Sequence, residues 1–324
     1  MPVRNEADFI ARSLGCVLAQ DYPRERMEII IADGRSTDTT RAIITALQAE
    51  HSHIKLIDNP RGIAPTGLNA AFAHARGDVI VRVDGHCEIA PDYVRKCVQH
   101  LQHGGAEGVG GPLETIGTTP LAAAIAAAMS SPFGVGGSAF RTVKNKTMLT
   151  DTVAFPAYTR AIIERAGHYD EEMVRNQDDE YNYRLRKLGA RILLAADVHA
   201  RYYSRGTLKS LFRQYYQYGY WKVRVWQKHP RQMSGRQFVP ALFVAALLGA
   251  LLAALFVAGG GWLLAAVGGA YLAANLAATL LVAARAGWQH TRWLPLVFLF
   301  LHLSYGLGFL TGLVRFAAHW RTAT

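Results

Sequence analysis

The chain has 324 residues, 51% of them hydrophobic, and a formal net charge of +11, a length that points to more than one compact region. The charge is uneven: residues 1–200 hold 22 Lys/Arg against 24 Asp/Glu, while residues 201–237 hold nine cations and residues 238–324 four, with no acid in either. Such a local basic band argues against a nucleic-acid-binding domain, and Cys16, Cys87 and Cys97 show neither metal-type spacing nor a disulfide framework.

The chain opens on a polar stretch without signal-peptide character, and the soluble part is expected to face a reducing cytoplasm. Phe9, Ile10, Leu14, Val17 and Leu18 predict an amphipathic helix ending near Asp21-Tyr22-Pro23. Residues 27–32 read as a buried strand, and Ser36 or Asp38 is placed to cap a helix over residues 40–50. Residues 54–57 read as a third strand and residues 67–75 as a helix. A β-branched run then ends abruptly on Asp84-Gly85-His86. Strands alternating with helices predict a parallel sheet covered on both faces. A Rossmann-like sheet normally has a strand before Pro2; either the chain starts late or the sheet lacks that strand.

Ligands of open α/β sheets bind beyond the carboxyl ends of strands, which is where Asp84 and His86 fall. Two residues apart on one side of an extended chain, a carboxylate and an imidazole can reach one divalent cation; the alternative is a plain polar turn. Residues 104–111 read as a glycine-rich loop, residues 120–128 as an alanine-rich helix, and residues 131–137 as a flexible segment able to close over a site. A helix is expected from Asn176 to a C′ glycine at Gly189. Its first-turn acids Asp178, Asp179 and Glu180 also suit the helix dipole. Residues 192–195 read as a short strand.

Residues 238–258, 262–284 and 294–314 each hold roughly the twenty apolar residues that cross a bilayer, and Gly259-Gly260-Gly261 makes a tight hairpin of the first two. The cations of residues 201–237, with Arg285 and Arg292, fall on the cytoplasmic side, while Arg315 and Arg321 fit the rule less well. The basic band interleaves its cations with Tyr202, Tyr203, Phe212, Tyr215, Tyr216, Tyr218, Tyr220, Trp221 and Trp226. That composition suits a helix lying on anionic lipid, or a single-stranded nucleic-acid platform; the adjoining span favours the membrane.

Glu6, Asp33, Asp84 and Asp178, in their order and setting, resemble the family 2 glycosyltransferases with their nucleotide-sugar-binding GT-A fold. The similarity runs from residue 2 to about residue 225. Pro2-Val3-Arg4-Asn5-Glu6 resembles the end of the family's first strand, where the Glu contacts the nucleoside. Asp33-Gly34-Arg35-Ser36-Thr37-Asp38 resembles the Asp-Asp-Gly-Ser-x-Asp turn, in which Asp33 would bond the uracil. Asp84-Gly85-His86 stands at the Asp-x-Asp position, which implies metal ligation by Asp84 and His86 and diphosphate binding. Gln177-Asp178-Asp179-Glu180 matches Glu-Asp-x-Asp/Glu and implies Asp178 as the catalytic base, with Gln177 replacing the usual Glu. Gln217 and Trp221 occupy a degenerate Gln-x-x-Arg-Trp motif on the acceptor side, with Tyr for Arg, which favours transfer of a single sugar. Arg61 is a phosphate candidate or a solvated loop cation. Asp-Gly-His, Ser-Pro-Phe-Gly and three C-terminal spans resemble most the succinoglycan-biosynthesis type of glucosyltransferase.

The resemblance implies an α/β GT-A domain over residues 1–200, membrane-interface helices over 201–237 and a three-helix transmembrane domain over 238–324. It further implies an inverting transfer, using Mn²⁺ or Mg²⁺, from a UDP-hexose-type nucleotide-sugar to a lipid-linked saccharide in exopolysaccharide or cell-surface glycan synthesis. Expected partners are the donor, the lipid-linked acceptor, the membrane and other polysaccharide-assembly proteins, with no nucleic acid. The expected location is the inner (cytoplasmic) membrane with the catalytic domain facing the cytoplasm. The alternatives are a polyprenyl-phosphate sugar synthase and a non-catalytic nucleotide-sugar-binding subunit.

Overall fold

The computed structural model describes residues 1–103, 105–204 and 206–320. Gly104 of the expected glycine loop, Arg205 of the basic band and Arg321 lie outside them. The chain divides into two units, Met1–Glu114 with Ala139–Tyr203, and Thr115–Ser138 with Ser204–Thr324. Residues 115–138, expected in the first domain, thus group with the helical second unit.

In chain order the elements are β1 (Pro2–Val3), α1 (Ile10–Leu18), β2 (Ile29–Asp33), α2 (Thr40–Glu50), β3 (Ile54–Asp58), α3 (Ala64–His74), β4 (Val79–Val81), β5 (Cys87–Ile89), α4 (Tyr93–His103), β6 (Gly108–Gly111) and β7 (Leu113–Ile116). Next come α5 (Pro120–Met129), α6 (Pro132–Val135), α7 (Ala139–Thr142), β8 (Met148–Leu149), β9 (Ala154–Thr159), α8 (Arg160–Ala166), α9 (Gln177–Lys187), β10 (Ile192–Leu194) and β11 (Ala200–Tyr203). The helices α10 (Leu208–Lys228), α11 (Val239–Phe256), α12 (Gly261–Ala286) and α13 (Leu294–Arg315) complete the chain.

In the first unit β1, β2 and β3 form a parallel sheet in that order, with Val3 beside Asp33 and Asp33 beside Asp58. Pro2–Val3 is therefore itself the leading strand of the expected pattern. The four aliphatic or small residues Ile29–Ala32 are all buried, as a strand covered on both faces requires.

The expected all-parallel sheet ends there. A second sheet has the order β4-β9-β6-β10-β8, in which β9 runs antiparallel to both β4 and β6. Pro156 hides this strand in the sequence, because proline gives no ladder hydrogen bond. It is tolerated here because the β6–β9 register shifts between Val109 and Gly111, and Phe155 takes a φ of 46° at that bulge. The expected glycine loop is likewise part strand. A Cβ on Gly111 would lie 1.5 Å from the Val198 carbonyl oxygen, and one on Gly108 3.0 Å from the Tyr158 ring. These glycines mark close packing of β6 against its neighbours.

In the second unit the three long apolar helices α11, α12 and α13 have the length and composition to cross a membrane. The basic, aromatic band is mostly the single helix α10, which packs along α13 at glycine contacts. A Cβ on Gly219 would lie 2.0 Å from the Tyr305 carbonyl oxygen, one on Gly308 2.0 Å from that of Tyr216, and one on Gly312 2.7 Å from that of Tyr220. Small residues permit such backbone approach.

Residues 131–137, expected as a flexible closing segment, form a helical turn capped by Ser131 and held on α13. The Phe133 ring lies edge-on to Phe298 at 5.0 Å, and its carbonyl accepts a 2.8 Å hydrogen bond from His302 Nε2. His302 Nδ1 then accepts from the Tyr271 hydroxyl at 3.0 Å, and Asn275 extends the chain to that hydroxyl and to the Pro295 carbonyl. Neutral hydrogen bonding thus satisfies the polar side chains among the apolar helices.

Candidate active site

The loops that follow β1, β2 and β3 are bound to one another. Gly34 N–H donates to the Val3 carbonyl at 2.8 Å, Thr37 N–H to Asn5 Oδ1 at 2.8 Å, and Glu6 N–H to Thr40 Oγ1 at 2.7 Å. Asn5 and Arg35 hold φ near 54° and 57°, the left-handed region that sharp loop turns use. Asp38 rather than Ser36 receives the first helical N–H, that of Thr40, and hydrogen bonding from Thr40, its side-chain hydroxyl first and then this N–H, holds the Asp38 carboxyl below the ordinary value. Ser36 instead donates to Asp33 Oδ1 at 2.6 Å, and Arg41 reaches Asp33 Oδ2 at 3.2 Å. Asp33 is 1% exposed and sits at the strand end expected of a nucleoside contact.

Asp84 and His86 do not lie on one extended strand. β4 stops at Val81, and Gly85-His86 form a turn that sends the two side chains to different partners. A Cβ on Gly85 would stand 3.0 Å from Glu6 Cγ, so glycine lets this turn sit against Glu6. His86 Nδ1 lies 2.8 Å from Glu6 Oε1. With Glu6 ionised, Nδ1 donates and the lone pair of the neutral ring is on Nε2, the arrangement that orients metal-binding histidines.

Asp84 faces Arg82, which is not among the sequence-predicted site residues. Arg82 Nε and Nη2 donate to the two Asp84 oxygens at 2.9 and 3.1 Å, and its Nη1 bonds Asp178 Oδ1. Burial alone would raise the Asp84 carboxyl; the Arg82 guanidinium outweighs it and holds that carboxyl below its usual range. For Asp178 the balance reverses. Loss of water pushes it up more than Arg82 pulls it down, and the Asp84 charge adds to the push. The signal for Arg82 was present: one cation inside the apolar run 79–83, two residues before Asp84 and hence on the same side of an extended chain.

Asp178 stands in the first turn of α9, entered through Asn176 in the left-handed conformation, and Gln177 beside it is buried. Behind it Tyr181 stacks on Tyr169 with centroids 4.0 Å apart, and Tyr158 OH bonds Asn182 Oδ1. Glu180 turns away to Arg184, with Oε1 2.6 Å from Nε. Arg61 is bound by Glu171, whose other oxygen accepts from Asn69 at 3.0 Å. Arg61 is a solvent-exposed loop cation that also pairs with Glu171, and Glu171 in turn ties the loop before α9 to α3. Gln217 and Trp221 belong to α10 of the second unit, where Trp221 packs on Tyr220 and Phe316.

Residues 1–168 match the family described as Glycosyl transferase family 2. The chain belongs to that family. Among curated relatives, this glycosyltransferase is 33% identical to succinoglycan biosynthesis protein ExoA of Rhizobium meliloti (strain 1021), over 78% of this chain and 77% of that protein. It is 30% identical to a dolichyl N-acetyl-alpha-D-glucosaminyl phosphate 3-beta-D-2,3-diacetamido-2,3-dideoxy-beta-D-glucuronosyltransferase of Methanococcus voltae, over 68% and 70%. In fold, the glycosyltransferase resembles mannosyltransferase PcManGT from Pyrobaculum calidifontis, solved with GDP-Man and Mn²⁺, with a TM-score of 0.60, 20% identity and coverage of 95% and 85%. S. aureus TarS 1–349 with UDP-GlcNAc gives 0.52, 16% identity and coverage of 92% and 88%. The expected GT-A architecture is the one these solved structures share with it.

Proposed function

We propose that this glycosyltransferase moves a single hexose from a nucleoside diphosphate sugar, of the UDP-hexose type, to a lipid-linked saccharide, with inversion at the anomeric carbon. The observation that carries the proposal is the placement of Asp84 and Asp178 on either side of one guanidinium. A carboxylate for the leaving-group side and a carboxylate with a raised proton affinity are thereby held in one neighbourhood. Glu6 and Asp33 take the nucleoside end, where the loops after β1 and β2 are bound together. Arg61 borders that region through its pair with Glu171, and Gln177, Gln217 and Trp221 serve the donor and acceptor sides.

The acceptor hydroxyl oxygen forms its bond to the anomeric carbon as the bond to the diphosphate breaks, and the bonding pair leaves with the diphosphate. Asp178 receives the hydroxyl proton. A divalent cation, when bound, supplies neutralisation of the charge that gathers on that diphosphate. Asp84 and His86 Nε2 are the residues to hold it. With two ligands from the chain, substrate phosphates and water would complete the coordination of such an ion. An imidazole in the set fits Mn²⁺ better than Mg²⁺, and the PcManGT complex with Mn²⁺ supports the choice.

The lipid-linked acceptor draws support from the three apolar helices and from the dolichyl N-acetyl-alpha-D-glucosaminyl phosphate on which the Methanococcus voltae relative acts. The cation distribution supports an inner-membrane location with the catalytic unit on the cytoplasmic side, and the succinoglycan relative supports a place among exopolysaccharide-assembly proteins. The test is to supply the enzyme in membranes with radiolabelled UDP-glucose, Mn²⁺ and either a lipid-linked saccharide or bare polyprenyl phosphate. Label on the saccharide is expected, and label on bare lipid phosphate alone would make the enzyme a polyprenyl-phosphate sugar synthase. Asp178→Asn is expected to keep UDP binding and lose about 10²–10⁴-fold in transfer; unchanged turnover removes Asp178 as the base.

A further inference from the structure

Arg82 joins Asp84 to Asp178 in the site just described, and it is itself an enclosed charge. Its side chain is 9% exposed at the end of an apolar strand, where an unpaired cation is costly. The guanidinium fork meets both Asp84 oxygens, the bidentate geometry of a strong ion pair, and its third edge meets Asp178. The backbone holds it in place as well, since Arg82 N–H donates to the Pro156 carbonyl at 2.9 Å. The two oxygens that would ligate a metal are therefore already matched by a cation of the chain itself.

We propose that Arg82 is a built-in counter-cation that keeps a divalent ion from settling on Asp84 until a nucleoside diphosphate arrives, so that metal and nucleotide bind as one unit. The proposal rests on Asp84 being a metal ligand, as argued above. To ligate a divalent ion without nucleotide, Asp84 would have to give up the Arg82 guanidinium, leaving Arg82 short of a carboxylate partner and close to a second positive charge. A nucleoside diphosphate brings anionic oxygens enough for both, so the displaced guanidinium and the incoming ion each gain a partner. Lysine offers the same charge as a point rather than a fork and holds the two carboxylates less firmly.

The full chain in detergent is titrated with Mn²⁺ while free Mn²⁺ is read by electron paramagnetic resonance, without nucleotide and with UDP or, in parallel, GDP. Wild type is expected to bind Mn²⁺ appreciably only with nucleotide. Arg82→Met without nucleotide is expected to bind it about tenfold more tightly than wild type, within the range by which groups around ligands alter metal affinity. Arg82→Lys falls between, and adding Asp84→Asn to Arg82→Met removes the gain. Equal Mn²⁺ affinity of wild type with and without nucleotide overturns the proposal, as does an Arg82→Lys or Arg82→Met protein that binds no more tightly than wild type. If Arg82→Met does not fold, the wild-type pair and Arg82→Lys still decide. Nucleotide-dependent Mn²⁺ binding that survives in Asp84→Asn instead removes Asp84 as a ligand, which separates failure of the metal assignment from failure of the Arg82 proposal.

Discussion

The first unit and the spanning helices of the second bury polar groups by opposite means. All 24 acidic residues belong to the first unit, and its enclosed charges are paired: Asp33 with Arg41, Glu180 with Arg184, Arg82 with Asp84 and Asp178. The spanning helices of the second unit hold neutral groups instead, Thr279, Asn275, Tyr271 and His302, joined by hydrogen bonds. The difference follows from solvent. Next to water a paired charge keeps part of its hydration and can serve catalysis; in hydrocarbon a neutral network satisfies the same need at far lower desolvation cost.

The largest effect is expected where an enclosed ion pair is broken. Glu180 is 2% exposed, so Glu180→Gln leaves the Arg184 guanidinium without its carboxylate and should cost about 3–5 kcal/mol, read by chemical denaturation of the first unit. A loss below about 1 kcal/mol would place this pair with ordinary surface pairs. Acid is the next lever. Because Asp84 is held low, its contribution is complete above the ordinary carboxylate pKa of about 4 and is lost as pH falls through the lower folded value. Asp38, held low by Thr40, and Asp92, held low by Lys96, act in the same direction. Pepsin at about pH 3 should therefore cut the first unit well before the spanning helices, which carry no carboxylate. Equal cutting of both would erase the contrast. The smallest effect is expected for Asn275→Leu, about 0.6 kcal/mol by the usual strength of interhelical hydrogen bonds in membranes, measured by unfolding in mixed micelles.

Features set by local chemistry were legible in the sequence. The α2 boundaries, the Asp33–Asp38 turn, the C′ glycine Gly189 with its φ of 87° and the three spans all depend on neighbours within a few residues. Pairing across long separations was not legible. β9 was concealed by Pro156, the β6 glycines resembled a loop because their partners Val198 and Tyr158 lie far along the chain, and residues 131–137 gave no sign of the contact with His302. The site divides in the same way. Asp84, His86 and Asp178 stood out by type and order, while Arg82 did not, since its meaning lies in Asp178, 96 residues away.

The glycine contacts between α10 and α13 also act as a ruler. Tyr216 and Tyr220 present their carbonyl oxygens to Gly308 and Gly312 at matching spacing on both helices. One residue inserted between those tyrosines turns everything beyond it by about 100°, carrying one oxygen off its notch while the other stays seated. The stretch therefore tolerates no change of length, whereas the bend between α11 and α12 is set by a local contact, a Cβ on Gly260 lying 2.1 Å from the Ala253 carbonyl oxygen, and involves no such register between two helices.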